Sequence, residues 1–110
     1  MNDLLNLAYK AMDEKQAADI VSIDFQNHSP FVDYFLIASA RNARMAKSIV
    51  ENVEEIALKN NYEVKKVYAN DTSKWFLIDL GSVVCHVFYD GEREVYNLEG
   101  LWKDLPQTKM

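Results

Sequence analysis

The sequence contains one cysteine, three glycines and two prolines among its 110 residues. The single cysteine, Cys85, excludes an internal disulfide framework and any metal site built from several cysteines. So few glycines leave little room for a phosphate-cradling loop, and neither the P-loop nor the Gly-x-Gly-x-x-Gly pattern is present. The two histidines and the scattered acids show no metal-ligand spacing such as His-x-x-x-His. We therefore expect no metal and no cofactor.

Long apolar runs and a basic N-terminus are also missing. No run approaches the roughly 18 apolar residues that a membrane span needs. The opening Met-Asn-Asp-Leu-Leu lacks the basic start and the long apolar run of a signal peptide. The sequence therefore predicts a soluble, cytoplasmic protein that has no contact with a membrane.

The sequence also lacks an excess of basic over acidic residues. The chain carries 17 acidic and 12 basic residues, a net charge of −5, and the two halves of the chain carry −4 and −1. A domain that binds nucleic acid mainly through phosphates usually has an excess of lysine and arginine. Neither half has such an excess, so we expect little direct contact with RNA.

The residues that are present suffice for one packed domain. Apolar residues make up 49% of the chain, which is ordinary for a globular protein. A chain of this length buries roughly two-thirds of its unfolded surface, enough for a core without cross-links. We expect a single domain over residues 1–110.

Hydrophobic spacing predicts segments in the order α-β-β-α-β-β-β-α, which is typical of mixed α/β domains. Helices are predicted from an Asn2 cap to about Lys15 and from an Asn42 cap to Asn60. Their apolar stripes are Leu4, Leu5, Ala8, Ala11 and Met12, and Met45, Ile49, Val53, Ile56 and Ala57. Strands are predicted at residues 19–25, 34–38, 64–68, 75–79 and 83–89, with a turn at 27–30.

Two further features complete the predicted architecture. The short connection Leu80-Gly81-Ser82 predicts that the last two strands form an antiparallel hairpin. Residues 93–102 are predicted to be a short helix or an irregular packed segment. We expect a mixed sheet of about five strands covered by two or three helices.

The adjacent pair Cys85 and His86 is the first candidate for catalysis. Neighbouring side chains on a strand point to opposite faces, so these two cannot work together. Cys85 is interpreted as a small buried residue. His86 shares a face with Val84 and Phe88, and is either hydrogen-bonded within the fold or active at the surface.

Strand carboxylates are the second candidate. Asp19 with Asp24, or Asp79 alone, could hold magnesium, as paired carboxylates do in nucleotidyl-transfer sites. The glycine-rich turn expected before such a pair is missing, which disfavours that interpretation. We expect no catalytic residues.

Aromatic and polar residues are dense in one stretch of 28 positions: Trp75, Asp79, His86, Phe88, Tyr89, Arg93, Tyr96, Leu98, Glu99 and Trp102. Such density is usually core packing, but Trp, Tyr and Arg also dominate protein–protein hot spots. The residues favour a binding module over an enzyme and do not identify its partner.

Three linked motifs carry a resemblance to a known family. They are Trp75-Phe-Leu-Ile-Asp79-Leu-Gly81-Ser-Val-Val-Cys-His86-Val-Phe88, then Arg93-Glu-Val-Tyr96-Asn-Leu98-Glu99-Gly-Leu101-Trp102, and upstream Asp33-Tyr34-Phe35-Leu-Ile37. The sequence resembles the ribosomal silencing factor family, also called the RsfS or Iojap family, from about Leu4 to Leu105. The helix entry Asn42-Ala-Arg44 matches the family's Ser-x-Arg in the arginine and the capping role.

The resemblance implies a cytoplasmic protein, commonly a homodimer, that binds the large ribosomal subunit through ribosomal protein L-fourteen. It implies that binding blocks subunit joining and lowers translation when nutrients are short. The implied fold is an α/β sheet related to nucleotidyltransferases without their activity. Alternatives from other classes are a nucleotidyltransferase-like enzyme and a dimeric adaptor whose partner is not the ribosome.

Seven residues are the resulting candidates for the face that binds L-fourteen: Tyr34, Trp75, Asp79, His86, Arg93, Tyr96 and Glu99. Asp79 and Glu99 are expected to face basic groups, and Trp75 and Tyr96 to be apolar anchors. Leu98 and Trp102 can equally be core residues.

The chain departs from the family pattern at a few positions. Tyr68-Ala69 stands where Glu-Gly is usual, Ser82 where aspartate follows the glycine, and Ala40 where glycine often follows the serine. Any contact that the family's Glu-Gly pair makes is therefore changed here.

Overall fold

A six-stranded mixed sheet forms the centre of the computed structural model, which describes residues 3–26, 28–70, 72 and 74–110. The strands are β1 (Ala18–Asp24), β2 (Tyr34–Ala40), β3 (Lys66–Asn70), β4 (Trp75–Asp79), β5 (Val83–Tyr89) and β6 (Gln107–Lys109). Their order across the sheet is β3-β4-β5-β2-β1-β6. Among these strands, β2 and β5 pair in parallel and the other neighbours are antiparallel. The predicted mixed α/β class is confirmed.

Two long helices cover one face of the sheet. The first, α1 (Asp3–Glu14), buries all five residues of its predicted stripe. Its predicted cap, Asn2, lies outside the described residues. The second, α2 (Ala43–Lys59), begins at Asn42, whose Oδ1 accepts a hydrogen bond from the Met45 N–H at 2.9 Å. This side-chain cap confirms the predicted start of the helix.

The buried stripe of α2 is turned slightly from the predicted one. Ile49, Val53 and Ala57 are buried as predicted, whereas Met45 and Ile56 are half-buried at the edge of the core. Ala46 and Val50 are buried instead, because α2 packs on both α1 and the sheet. The helix ends at Lys59, and Asn61 takes a positive φ of 64°.

Two short helices lie over the other face of the sheet. They are α3 (Glu92–Tyr96) and α4 (Leu98–Leu101), joined at Asn97, which has a positive φ of 48°. The Oδ1 atom of Asn97 accepts a hydrogen bond from the Gly100 N–H at 3.1 Å and so caps α4. The predicted segment 93–102 is thus helical in two pieces.

The hairpin of the last two predicted strands is confirmed, because β4 and β5 pair antiparallel across residues 80–82. Two differences remain at the sheet edges. β3 begins at Lys66 rather than Val64, and β6 was not predicted. Of the predicted turn at 27–30, residue 27 lies outside the described residues. No helix in the described ranges is long and apolar enough to cross a membrane.

Candidate functional site

Strand alternation divides the seven predicted site residues between the two faces of the sheet. Trp75 pairs with Phe88 and Asp79 with Val84, so Trp75 and Asp79 share a face with His86. Arg93, Tyr96 and Glu99 lie above that same face, on α3 and α4. Tyr34 pairs with Val83 and packs into the core on the opposite, helix-covered face. The structure therefore places six of the seven on or above one face and Tyr34 on the other. Among the six, Asp79 stands at the β4–β5 turn, at the opposite end of β4 from Trp75.

Aromatic rings form a continuous chain across the shared face. Neighbouring centroids lie 4.4–5.7 Å apart along Trp102, Phe25, Phe35, His86, Trp75, Phe88 and Tyr96. Ring pairs of this kind contribute about 0.5–1.5 kcal/mol each beyond the area they bury. Phe25, His86 and Phe88 are buried, and Phe35, Trp75 and Trp102 are half-buried, as is Leu98, which packs against the same core cluster. Tyr96, at the outer end, keeps 39% of its surface exposed.

His86 is buried within this chain and bonded to Trp75. Its Nδ1 accepts a hydrogen bond from the Trp75 Nε1–H at 3.2 Å, which leaves the proton of the neutral ring on Nε2. Nε2 has no hydrogen-bond partner among the described residues. Burial lowers the pKa of His86 from 6.5 to about 3. The interpretation of His86 as hydrogen-bonded within the fold is confirmed, and its effect is to hold the Trp75 indole.

Cys85 occupies the opposite face of β5, in the core beneath the long helices. Burial first, and the charge of Asp79 second, raise the pKa of the Cys85 thiol to about 12. The thiol is therefore protonated and shielded from solvent, a state unsuited to nucleophilic attack. The predicted separation of Cys85 from His86 is confirmed.

Asp79 closes the β4–β5 turn. Its Oδ1 accepts a hydrogen bond from the Gly81 N–H at 2.8 Å, and Gly81 has a positive φ of 92° that favours glycine. Asp24 makes the same local bond, at 2.8 Å, with the Gln26 N–H. Asp19 and Asp24 lie at opposite ends of β1. In the described parts of the chain, no three His, Cys, Asp or Glu side chains are grouped so that they could hold a metal ion.

Arg93 ties α3 and α4 to the end of the sheet. Its Nε and Nη2 donate to the two carboxylate oxygens of Glu99 at 3.2 and 3.0 Å. Its Nη1 donates to the Asp19 carbonyl at 2.7 Å and to the Ser39 hydroxyl at 2.9 Å. The basic group that Glu99 faces is thus Arg93 of its own chain. A cleft of about 410 Å³ lies beside this pair, lined by both charge signs.

The sequence analysis missed two exposed residues next to this cluster. Val95 on α3 and Leu101 on α4 are 72% and 70% exposed. Helices of five and four residues are too short to show a periodic stripe, so their outward faces could not be assigned from spacing. A count of charges would have drawn attention to the segment, because residues 90–104 carry five acids and two bases.

Comparisons with known proteins, each covering most or all of the chain, agree on one family. A family model described as "Ribosomal silencing factor during starvation" matches residues 1–110. The chain belongs to the ribosomal silencing factor family. Ribosomal silencing factor RsfS of Bacillus subtilis is 41% identical over 103 residues, which cover 94% of this chain and 87% of that protein. The family resemblance stated from the motifs is confirmed.

Two further relatives support the family and the fold. Protein Iojap, chloroplastic, of Zea mays is 32% identical over 92 residues, or 82% of this chain and 39% of that protein. A crystal structure of a protein from Bacillus halodurans has a TM-score of 0.84 and 35% identity, and the match covers 98% of both chains. The mixed sheet with its helices is therefore the fold of this family.

The departures from the family pattern lie in different parts of the sheet. Ala40 ends the inner strand β2, where it pairs with Tyr89. Tyr68, in place of the usual glutamate, is on the edge strand β3, where the Lys66 ammonium lies 5.5 Å from its ring centroid. Ser82 lies in the β4–β5 turn, and its backbone carbonyl accepts hydrogen bonds from the Asp33 and Tyr34 N–H groups. Because this contact uses the backbone, it tolerates serine in place of aspartate.

Proposed function

We propose that this protein binds the large ribosomal subunit through ribosomal protein L-fourteen. Bound there, it blocks joining of the small subunit and represses translation under nutrient limitation. The observation that carries the proposal is the match of the silencing-factor family over residues 1–110. A domain of 110 residues acts here as a steric plug and needs no active site.

Charge directs this protein to ribosomal protein rather than to ribosomal RNA. With a net charge of −5, the chain is repelled by phosphates and attracted by lysine and arginine. Such complementarity steers the encounter and selects the partner more than it sets affinity. Direct contact with RNA is therefore small in this proposal.

The docking face is the one that carries the aromatic chain. Tyr96 and Trp75 supply apolar contact, and the half-buried Asp79 supplies charge at the edge. His86 acts beneath the surface by holding Trp75, and Arg93 acts with Glu99 by holding α3 and α4 in place. Tyr34 supports the face from the other side of the sheet through packing of β2.

A substitution that removes the charge of Asp79 but keeps the shape of its side chain tests this face without removing the turn. In Asp79→Asn the side-chain oxygen still accepts from the Gly81 N–H while the charge is lost. Asp24→Asn is the matched control, since Asp24 makes the same local bond at the same 2.8 Å. Binding of purified L-fourteen and of large subunits is expected to weaken several-fold in Asp79→Asn alone. Equal binding by both variants contradicts the assignment of Asp79.

The remaining parts of the proposal have separate tests. We assign no enzymatic activity, and transfer of label from a nucleotide in magnesium, lost in Asp79→Asn, would instead favour a nucleotidyltransferase. We place the protein in the cytoplasm. We also propose that it is a homodimer, and sedimentation equilibrium measures this oligomeric state directly. Failure to sediment with isolated ribosomal subunits would favour an adaptor with another partner.

A further inference from the structure

Large apolar side chains are exposed on the two short helices. Val95, Tyr96 and Leu101 fall within seven consecutive residues and are 72%, 39% and 70% exposed. Neither α3 nor α4 has a buried residue of its own. Single exposed apolar residues are normal, but a concentration rimmed by polar residues marks a contact site. We name these three residues, with Glu92, Glu94 and Asp104, the α3–α4 surface.

This surface is held rigidly in place. Tyr96 stacks over Phe88 at 5.7 Å and contacts Trp75 at 5.3 Å. Arg93 fastens the segment to the end of the sheet, and its side chain is 12% exposed. Val95 and Leu101 are therefore presented to solvent by a backbone that needs little ordering on binding, which lowers the entropic cost of association.

The charge on the segment defines its partner. Residues 90–104 carry a net charge of −3, while the remaining residues of the second half, 56–89 and 105–110, carry +2. Within the segment, Arg93 and Glu99 neutralise each other, and Asp90 lies 3.8 Å from Lys74. No ion pair in the described part of the chain involves Glu92, Glu94 or Asp104. Lys103 is the one base of the segment outside these pairs, so Glu92, Glu94 and Asp104 together with Lys103 leave a net charge of −2 near Val95 and Leu101.

We infer that the α3–α4 surface binds a basic protein surface, with Val95 and Leu101 as apolar anchors and the three acids as a rim. The inference rests on the proposed function, in which the basic surface that is bound belongs to a protein of the large ribosomal subunit. RNA and anionic lipid are repelled by this charge. A second copy of the chain would place like charges opposite each other across a two-fold axis.

Truncation of the two anchors tests the inference. Val95→Ser/Leu101→Ser is compared with Leu58→Ser, which removes a similarly exposed leucine (55%) from α2, on the other face of the sheet. Binding to purified large subunits is expected to weaken about tenfold in the double variant and less than about twofold in the control. Far-UV circular dichroism checks that both variants are folded.

The possible outcomes separate this inference from the proposed function. If the parent protein binds large subunits and Val95→Ser/Leu101→Ser binds equally well, the inference is overturned and the proposed function stands. If the parent protein does not bind large subunits, the proposed function fails and the inference fails with it. An equal loss in Leu58→Ser would also overturn the inference, because the effect would not be specific to this surface.

Neutralising the rim distinguishes a basic protein from RNA as the partner. In Glu92→Gln/Glu94→Gln/Asp104→Asn, binding to large subunits is expected to weaken several-fold and to depend less on salt concentration. Tighter binding by this variant would show that repulsion from RNA had been relieved, and would overturn the inference.

Discussion

Acidification from neutral pH to pH 5 is expected to destabilise the fold through His86. The imidazole is 3% exposed, and burial lowers its pKa from 6.5 to about 3. Between these two values the unfolded chain holds a proton on this histidine that the folded chain does not hold. Protonation therefore favours the unfolded state, and the free energy of unfolding falls as the pH falls through this window.

The size of the effect follows from the same two pKa values. A difference of one pKa unit corresponds to about 1.4 kcal/mol. At pH 5 the loss from His86 is about 2 kcal/mol, and at pH 3 it is about 4 kcal/mol. Above about pH 7.5, one unit above the unfolded pKa, the contribution is constant, so stability is expected to be independent of this group there.

Urea unfolding at pH 7.5, 6 and 5 measures the effect. With an m value of about 1.5 kcal/mol/M for a domain of this size, a loss of 2 kcal/mol lowers the midpoint by about 1.3 M. His86→Asn removes the titrating group while its side-chain oxygen can still accept from the Trp75 indole. His28→Asn is the matched control, since His28 is the other histidine of the chain.

The comparison between variants decides the outcome. The parent protein and His28→Asn are expected to lose the same stability between pH 7.5 and 5, and His86→Asn about 2 kcal/mol less. If the stability of all three proteins depends on pH in the same way, His86 is not buried as a neutral ring. The hydrogen bond assigned between its Nδ1 and the Trp75 indole is then refuted.

Three further results are expected from the structure. Arg93→Met lowers the free energy of unfolding by about 2–4 kcal/mol in urea titrations, because the Glu99 carboxylate and the Asp19 carbonyl lose their hydrogen-bond donor. Loss of a fully buried ion pair would cost more, but the Arg93 and Glu99 side chains are 12% and 30% exposed. Asn42→Ala lowers it by about 1 kcal/mol in the same assay, because α2 loses its cap. Cys85, buried with a pKa of about 12, stays unmodified by a thiol reagent at pH 8 in the folded protein and reacts in denaturant.

Each of these has a control or a contrary result. A loss below about 0.5 kcal/mol in Arg93→Met would show that the Glu99 pair does not hold α3 and α4. Asn42→Asp keeps an acceptor at the cap and should retain most of the stability; a loss equal to that of Asn42→Ala contradicts the capping role. Reaction of Cys85 at the same rate in folded and denatured protein would contradict its burial.

Much of the fold was predictable from local patterns. The stripe of α1, the Asn42 cap and the β4–β5 hairpin each depend on residues near one another in the chain. β6 was missed because Gln107, Thr108 and Lys109 are exposed and show no apolar alternation. The strand forms through backbone pairing with β1, more than 80 positions away in sequence, and no local signal reports such pairing.

The spatial arrangement of the candidate site residues could not be predicted from the sequence. Tyr34 belongs to the opposite face because the parallel register of β2 and β5 sets it beside Val83, and register between distant strands cannot be read from spacing. The pairing of Arg93 with Glu99 depends on the turn at Asn97 between two very short helices. The exposure of Val95 and Leu101 depends on the same turn.

Subunit joining in the presence of this protein tests the central claim most directly. Purified small and large subunits are mixed at a defined magnesium concentration with and without the protein, and the products are separated on a sucrose gradient. The proposed function predicts that the joined ribosome peak falls as the protein is added, while the protein sediments with the large subunit. Undiminished joining at a concentration at which the protein occupies the large subunit would contradict ribosome silencing by steric block.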